Sequence, residues 1–215
     1  MHIKRKTIEN FWPIQRTGSK YVAVPSHDQR SALPLIIVIR DLLAMVKTKK
    51  ELKKLLNEKK ITVNEKIVRE TNYPLRLYDS LGFPSLKKYY KISLKKRFVV
   101  IPASESEARE KIVKVIGKKL LPGKKVQLHL TGGRTVLSNE KADVGDFAVI
   151  DLLKNKITKI IQLKKDTEIL VIAGKHIGKT GKIKEIAKEG AAVVATIKTH
   201  DGEIKANIKN VFAKE

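Results

Sequence analysis

Residues 47 to 79 read KTKKELKKLLNEKKITVNEKIVRETNYPLRLYD, and this stretch decides how the first half of the chain is built. Thr48 and Glu51 have the T-x-x-E spacing of a capping box, so the spacing predicts a helix that starts near Lys49 and runs to about residue 60. Leu52, Leu55 and Leu56 recur at three and four residues, which buries one narrow face. Lys49, Lys50, Lys53, Lys54, Lys59 and Lys60 occupy the remainder of the circumference. Ile61-Thr62-Val63 and Ile67-Val68 then bracket Asn64-Glu65-Lys66, and Asn tolerates the positive φ that hairpin turns require. Helix and hairpin together would present a cationic surface over a thin apolar stripe, with Lys66 and Arg69 beside the turn.

Composition sets the frame around this stretch. The chain has 215 residues, 42% of them hydrophobic, and a formal charge of +24. That length allows one large domain or two to three small ones, and the multi-domain organisation is expected. Residues 41 to 100 carry +10 of the charge, whereas residues 166 to 215 carry only +2. A cationic excess of this size points to a polyanion, because neutralised phosphates release condensed counterions. An anionic membrane would want a longer helix with a broader apolar face than 49 to 60 offers. The start, MHIKRKTIENFW, lacks the apolar core of a secretory signal, and the apolar run Leu33 to Val46 is interrupted by Arg40 and Asp41. The chain is therefore expected to be neither exported nor membrane-spanning. With no cysteine, disulfides, Cys-type zinc sites and thiol nucleophiles are excluded, and a reducing interior is compatible. The histidines, His2, His27, His129, His176 and His200, stand in no H-x-x-x-H or H-E-x-x-H spacing, so no metal site is indicated.

The order basic helix, I-x-V-N-x-K, second short strand resembles the alpha-L RNA-binding domain of ribosomal proteins, pseudouridine synthases and some tRNA synthetases. Most such domains read V-N-G-K, and here Glu65 stands in place of the glycine. Upstream, His2, Lys4, Arg5, then Trp12, Pro13, Ile14, Arg16, then Pro34, Leu35, Ile36, Arg40, Asp41 and Leu43 form H-x-K-R, W-P-I-x-R and P-L-I-x-x-x-R-D-x-L. In that order before an alpha-L domain they resemble the family of the fourth small-subunit ribosomal protein of archaea and eukaryotes, and an archaeal source is implied. Residues 1 to 34 read as an extended basic arm with too little apolar content for its own core, ordered only on a partner. Lys4, Arg5, Lys6, Arg16, Lys20 and Arg30 would meet phosphates there, and Trp12 would stack or anchor. Pro34 to Val46 is expected to be the central helix of the next domain.

Residues 93 to 165 change character. Phe98 to Ile101 reads as a strand, and Ser104 with Glu107 repeats the capping spacing ahead of a helix carrying Ala108, Ile112, Val115 and Ile116, stopped by Gly117. Val126 to Leu130 alternates, Thr131-Gly132-Gly133 turns, and Arg134 opens a return strand. Asp143, Asp146 and Asp151 read as turn and strand-edge residues. The H-L-x-G-G-R and G-D segments resemble the central domain of the same ribosomal family, which assigns Arg134 to RNA. From Glu168 the chain reads EILVIAGKHIGKTGKIKEIAKEGAAVVA, which resembles the KOW motif, part of a small SH3-like barrel, with its third strand starting at Ala191. Glycines at 174, 178 and 181 would bring the loop backbone close to a phosphate, with Lys175, Lys179 and Lys182 beside Gly178 and Gly181. The spacing excludes a Walker loop.

The expectation is thus an α+β multi-domain chain. It comprises a basic arm (1–34), an alpha-L domain of helix plus small sheet (35–92), a strand-rich central domain (93–165) and a C-terminal SH3-like β-barrel (166–215). The resemblance implies a structural, non-catalytic protein in translation that binds ribosomal RNA in the cytoplasmic ribosome and meets neighbouring ribosomal proteins. No cofactor, metal, membrane or small-molecule substrate is expected. An RNA-modifying enzyme would need a substantial catalytic domain, for which 93 to 165 is too short, and a transcription elongation factor leaves the basic arm without a role.

Overall fold

The computed structural model of the chain describes residues 2–29, 31–122, 126–138, 142–190, 192–200 and 202–214, apart from the side chains of residues 189 and 192. Arg30 of the arm and Ala191 of the C-terminal segment lie outside the described residues. Two compact units divide the chain, Met1–Arg109 and Glu110–Glu215.

In the first unit, the apolar run after Pro34 forms a much shorter helix than its composition suggests. An α turn, α1 (Leu35–Ile37), widens over Val38–Leu42, where Leu43 N–H bonds Val38 O at 3.0 Å and Met45 N–H bonds Ile39 O at 3.1 Å. Ala44 then takes a left-handed φ of +51° and the helix stops. Leu35 to Ile39 are all buried, so this segment is packed on every side and has no free face for a periodic pattern to mark. Helix α2 (Lys49–Asn57) follows. Five antiparallel strands complete the unit: β1 (Thr62–Val63), β2 (Lys66–Ile67), β3 (Ser80–Phe83), β4 (Lys88–Leu94) and β5 (Phe98–Ala103), in the order β2-β1-β3-β4-β5.

The amino-terminal arm departs from expectation. Instead of lacking a core, it folds back on itself, with Ile3–Lys4 paired to Tyr21–Val22. Trp12 is only 2% exposed. Phe11 packs edge-on against Phe98 at 5.1 Å, and its carbonyl accepts from Phe98 N–H at 2.9 Å. Two aromatic side chains thus supply the apolar area that the arm's sparse aliphatic content does not.

Ser104 and Glu107 reciprocate as their spacing predicts. Ser104 Oγ accepts from Glu107 N–H at 3.3 Å and the Glu107 carboxylate accepts from Ser104 N–H at 2.8 Å. The helix they open, α3 (Glu105–Arg109), lasts five residues, and the expected continuation through Ile116 is wrong. Glu110–Leu120 is instead a long strand, β6. Ile112, Val113, Val115 and Ile116 are β-branched and favour a pleated backbone. Because β6 is central and Ile112 and Val113 are both buried, its two-residue period is hidden.

β6 is flanked by β7 (Val126–Leu130), β8 (Arg134–Ser138), β9 (Phe147–Asp151) and β10 (Lys156–Ile161), in the order β8-β7-β6-β9-β10. Val113, Val115, Leu128, Leu130, Val136 and Ile150 fill its core. The aspartates brace turns. Asp146 accepts from Asp143 N–H and Leu163 N–H, each at 2.9 Å, and Asp151 accepts from Leu153 N–H and Lys154 N–H.

A second five-stranded sheet ends the chain: β11 (Glu168–Val171), β12 (Thr180–Glu189), β13 (Ala192–Thr199), β14 (Gly202–Asn207) and β15 (Val211–Ala213). Its order is β14-β13-β12-β11-β15, so the last strand pairs with the first. Ile169, Val171, Ile183, Ile197 and Val211 form its apolar centre.

Lys114 joins the two sheets of this unit. Its Nζ donates to Ile208 O at 2.5 Å and Val211 O at 3.1 Å and lies 5.5 Å from the Phe147 ring centre, while Phe147 meets Phe212 at 5.3 Å. Burial pushes the Lys114 ammonium down to about 8 from its ordinary 10.5.

Two outcomes follow from this packing. Trp12→Ala is expected to destabilise the first unit by about 3 to 5 kcal/mol, as truncation of a buried Trp does, and denaturant unfolding of the full chain measures it. Between about pH 8 and 10.5 the unfolded chain holds a proton on Lys114 that the folded chain has lost, so stability rises with pH there. The unfolding free energy of the parent relative to Lys114→Met is therefore expected to climb across that window, and a constant difference would contradict this.

Candidate nucleic-acid interface

The cationic surface of the first unit begins at the helix cap. Thr48 Oγ1 accepts from Glu51 N–H at 3.3 Å and donates to the Glu51 carboxylate at 2.9 Å, which also accepts from Lys47 N–H at 2.8 Å. Those bonds from the Lys47 amide and the Thr48 hydroxyl hold the Glu51 carboxyl below the usual carboxylate range. Leu52 and Leu56 are fully buried, Leu55 is half-buried, and Lys49, Lys50, Lys53 and Lys54 are exposed. The helix ends three residues before the expected position. Lys60 N–H bonds Leu55 O and Lys59 N–H bonds Leu56 O, a Schellman arrangement with Lys59 left-handed at φ +56°. Lys59 and Lys60 thus lie in the capping turn, and Lys60 pairs with Glu58 at 2.7 Å.

The hairpin follows directly. Val63 faces Lys66 across a two-residue turn in which Asn64 and Glu65 have φ of +50° and +62°, the double left-handed geometry of a type I′ turn. Lys66 and Arg69 are exposed. Asn64 is 8% exposed and committed to the fold: its Nδ2 donates to Asp79 at 2.7 Å and its Oδ1 accepts from Ser80 N–H at 3.1 Å. Asp79 also accepts from Arg76 N–H at 2.7 Å. Asn64 therefore braces the hairpin against β3, and its amide is not free for RNA.

Other expected contacts divide in the same way. Lys4 and Lys6 are exposed, but the Arg5 guanidinium is spent within the arm on Ser19 O at 2.8 Å, Gln15 O at 2.7 Å and Ser19 Oγ at 2.9 Å. Arg16 is exposed and donates to Asn10. Trp12 presents no stacking face because its ring is buried. Arg134 is half-buried at the start of β8. In the C-terminal loop, Gly178 has φ +80° and donates to Val171 O at 2.8 Å, so its freedom serves the turn. Gly181 serves the sheet, since a Cβ there would stand 2.3 Å from Lys198 O. Lys175 and Lys182 are exposed, and Lys179 is half-buried.

Sequence reasoning missed a second cationic edge in the first unit. Lys87 precedes β4 and Lys88 opens it, and Lys95, Lys96 and Arg97 form the turn to β5; all five are exposed. The signal was present, since KKYYKISLKKR places cations at both ends of an apolar-rich strand. Among the described residues no cluster of acidic and imidazole side chains could hold a metal ion.

These features define the class: a basic, strand-rich, multi-domain protein with little helix, whose cations sit on a helix face and on hairpin turns. The particular family follows from comparison with known proteins. The model of "Ribosomal family S4e" matches residues 87–157. A small ribosomal subunit protein eS4 from Methanocella arvoryzae is 31% identical over 98% of this chain and 92% of its own length. Its counterpart from Nanoarchaeum equitans is 31% identical over 87% of this chain and 82% of its own. The crystal structure of 30S ribosomal protein S4e from Thermoplasma acidophilum superposes with a TM-score of 0.70 at 26% identity, covering 85% of this chain and 94% of that one. The chain belongs to the S4e family of ribosomal proteins.

Two substitutions separate the brace from the surface. Asn64→Ala, which removes one donor to Asp79 and leaves Ser80 N–H without its side-chain acceptor, is expected to cost about 1 to 3 kcal/mol. Glu65→Gly releases a left-handed non-glycine residue and is expected to leave stability equal or up to about 1 kcal/mol higher. Urea unfolding of both variants checks the signs.

Proposed function

We propose that this protein binds and bridges helices of small-subunit ribosomal RNA as a structural, non-catalytic constituent of the particle. As a member of the S4e family it is a small-subunit ribosomal protein, acting in translation on the cytoplasmic ribosome. The observation that carries the RNA reading is the helix face of Lys49, Lys50, Lys53 and Lys54 standing over the fully buried Leu52 and Leu56. Lys59, Lys66 and Arg69 extend it through the cap to the hairpin, in keeping with an alpha-L domain.

Within this reading, residues 1–34 form the arm, 35–92 the alpha-L domain, 93–165 the central domain and 166–215 the KOW barrel. The cations of the arm, the helix and the Lys175 loop meet backbone phosphates. Phosphate contacts supply affinity, and RNA shape supplies most of the selectivity, because the A-form major groove is closed to side chains. Neighbouring ribosomal proteins are the other partners. No described helix is long and apolar enough to cross a membrane.

Binding of the full chain to small-subunit ribosomal RNA is expected to weaken steeply with salt. For roughly six phosphates contacted, log K against log salt has a slope of about −4 to −5, and Lys53→Gln lowers its magnitude by about one unit. A flat salt response overturns the electrostatic reading. Co-sedimentation with small ribosomal subunits rather than with RNA polymerase separates it from a role in transcription.

A further inference from the structure

The C-terminal sheet carries a row of charged residues across four of its strands, continued by the residue after the fifth. Lys214 lies beside Glu168, and the register then runs Glu168 to Lys182, Lys182 to Lys198 and Lys198 to Glu203. Facing residues in adjacent strands project to the same side. Both carboxylates in the row are engaged at its ends. Lys214 Nζ reaches Glu168 at 3.4 Å, and Lys184 Nζ reaches Glu203 at 2.7 Å, which also raises the Lys184 ammonium above its ordinary value. Lys182 and Lys198 are left as two exposed cations directly opposite each other, neither in an ion pair with a carboxylate among the described residues.

Like charges facing across strands are unfavourable. An anion placed between these two removes that repulsion and gains two charge-assisted contacts. The surrounding geometry provides the space. A cavity of about 330 Å³ opens on the pair, with Thr180, Thr199 and His200 on its walls and none of the glycine-loop residues 174 to 179 among its lining. Gly181 contributes only its backbone to the lining. Glu168 also borders it, its charge matched by Lys214. No Phe, Tyr or Trp lines the space, which offers cations, hydroxyls and an imidazole.

We propose that Lys182 and Lys198 form a binding cleft for a backbone phosphodiester of RNA on the outer face of this sheet, separate from the glycine loop. The inference rests on the RNA-binding reading above and assigns it a second contact in a segment whose net charge, +2, is too small for bulk attraction. A solvated sheet surface would gain from the loss of one lysine, whereas a phosphate site gains stability and loses ligand by the same change.

The test uses the full chain and a small-subunit ribosomal RNA transcript, comparing the parent, Lys182→Gln with Lys198→Gln, and a control, Lys188→Gln with Lys209→Gln, which removes two exposed charges outside the cleft. The cleft variant is expected to lose about two units of salt slope and at least about tenfold in affinity, with an unfolding midpoint equal to or above the parent's. The control is expected to stay near the parent. If the parent binds RNA and the cleft variant matches it in affinity and slope, the cleft is overturned and the general reading survives. If the parent itself fails to bind, both fall. A lowered unfolding midpoint makes the lysines structural and overturns the proposal. Titration of the parent with inorganic phosphate, read at the Lys182 and Lys198 ammonium signals, separates the sources. Saturation at low millimolar phosphate with RNA binding unaltered by the double substitution assigns the cleft to a free ion and overturns the phosphodiester.

Discussion

Leu52 and Leu56 are wholly buried while the lysines between and around them stand in water, and this division of faces is what a chain of charge +24 requires in order to fold. Each element has only a narrow apolar side to hide, and each must send its cations outward without crowding them. Short strands and hairpins meet the requirement because their side chains alternate, and one tight turn separates one face from the next. In the first unit the five-residue apolar run Leu35 to Ile39 is packed on every side and is joined in burial by residues from the helix and the strands, among them Leu52, Leu56, Leu81 and Ile92. A cost appears in the backbone. Lys59, Asn64, Glu65 and Lys87 all take positive φ, and all four lie in turns that set where exposed lysines point.

Elements whose pattern is local were legible in the sequence. The Thr48 cap, the leucine stripe and the hairpin turn at Asn64 each depend on residues within four positions of one another, and the structure reproduces them with a helix three residues shorter than expected and with Lys66 in the second strand rather than in the turn. Elements whose pattern depends on tertiary neighbours were not. The stretch up to Ile116 reads as helical because Lys111, Ile112 and Val113 are buried in succession and display no alternation, and the half-buried Lys114 breaks the pattern further. Pro34 to Val46 was read as a full helix because nothing in its composition announces the left-handed turn at Ala44.

The candidate interface divides along the same line. Exposure of the helix lysines followed from the stripe beneath them. The structural roles of Arg5, Asn64 and Gly181 did not, because their partners, Ser19, Asp79 and the Lys198 carbonyl, lie 14 to 17 residues further along the chain. A polar or aromatic residue in a basic stretch looks like a ligand contact until its internal partner is known. Lys182 shows the converse: it was legible as a cation near a glycine loop, but only strand register sets it opposite Lys198.

The closing strand of the second unit has a consequence for synthesis. Val211–Ala213 pairs with Glu168–Val171, the first strand of its sheet, and the carbonyls of Ile208 and Val211 receive the Lys114 ammonium from the preceding sheet. Carbonyls 94 and 97 positions further along the chain are therefore needed to satisfy one of the earliest buried groups of the unit. Domains fold as units in the order in which they leave the ribosome, so the first 109 residues can fold while the remainder is still being made. The second unit has to wait for Val211–Ala213 to emerge, with Lys114 held in water until that strand arrives.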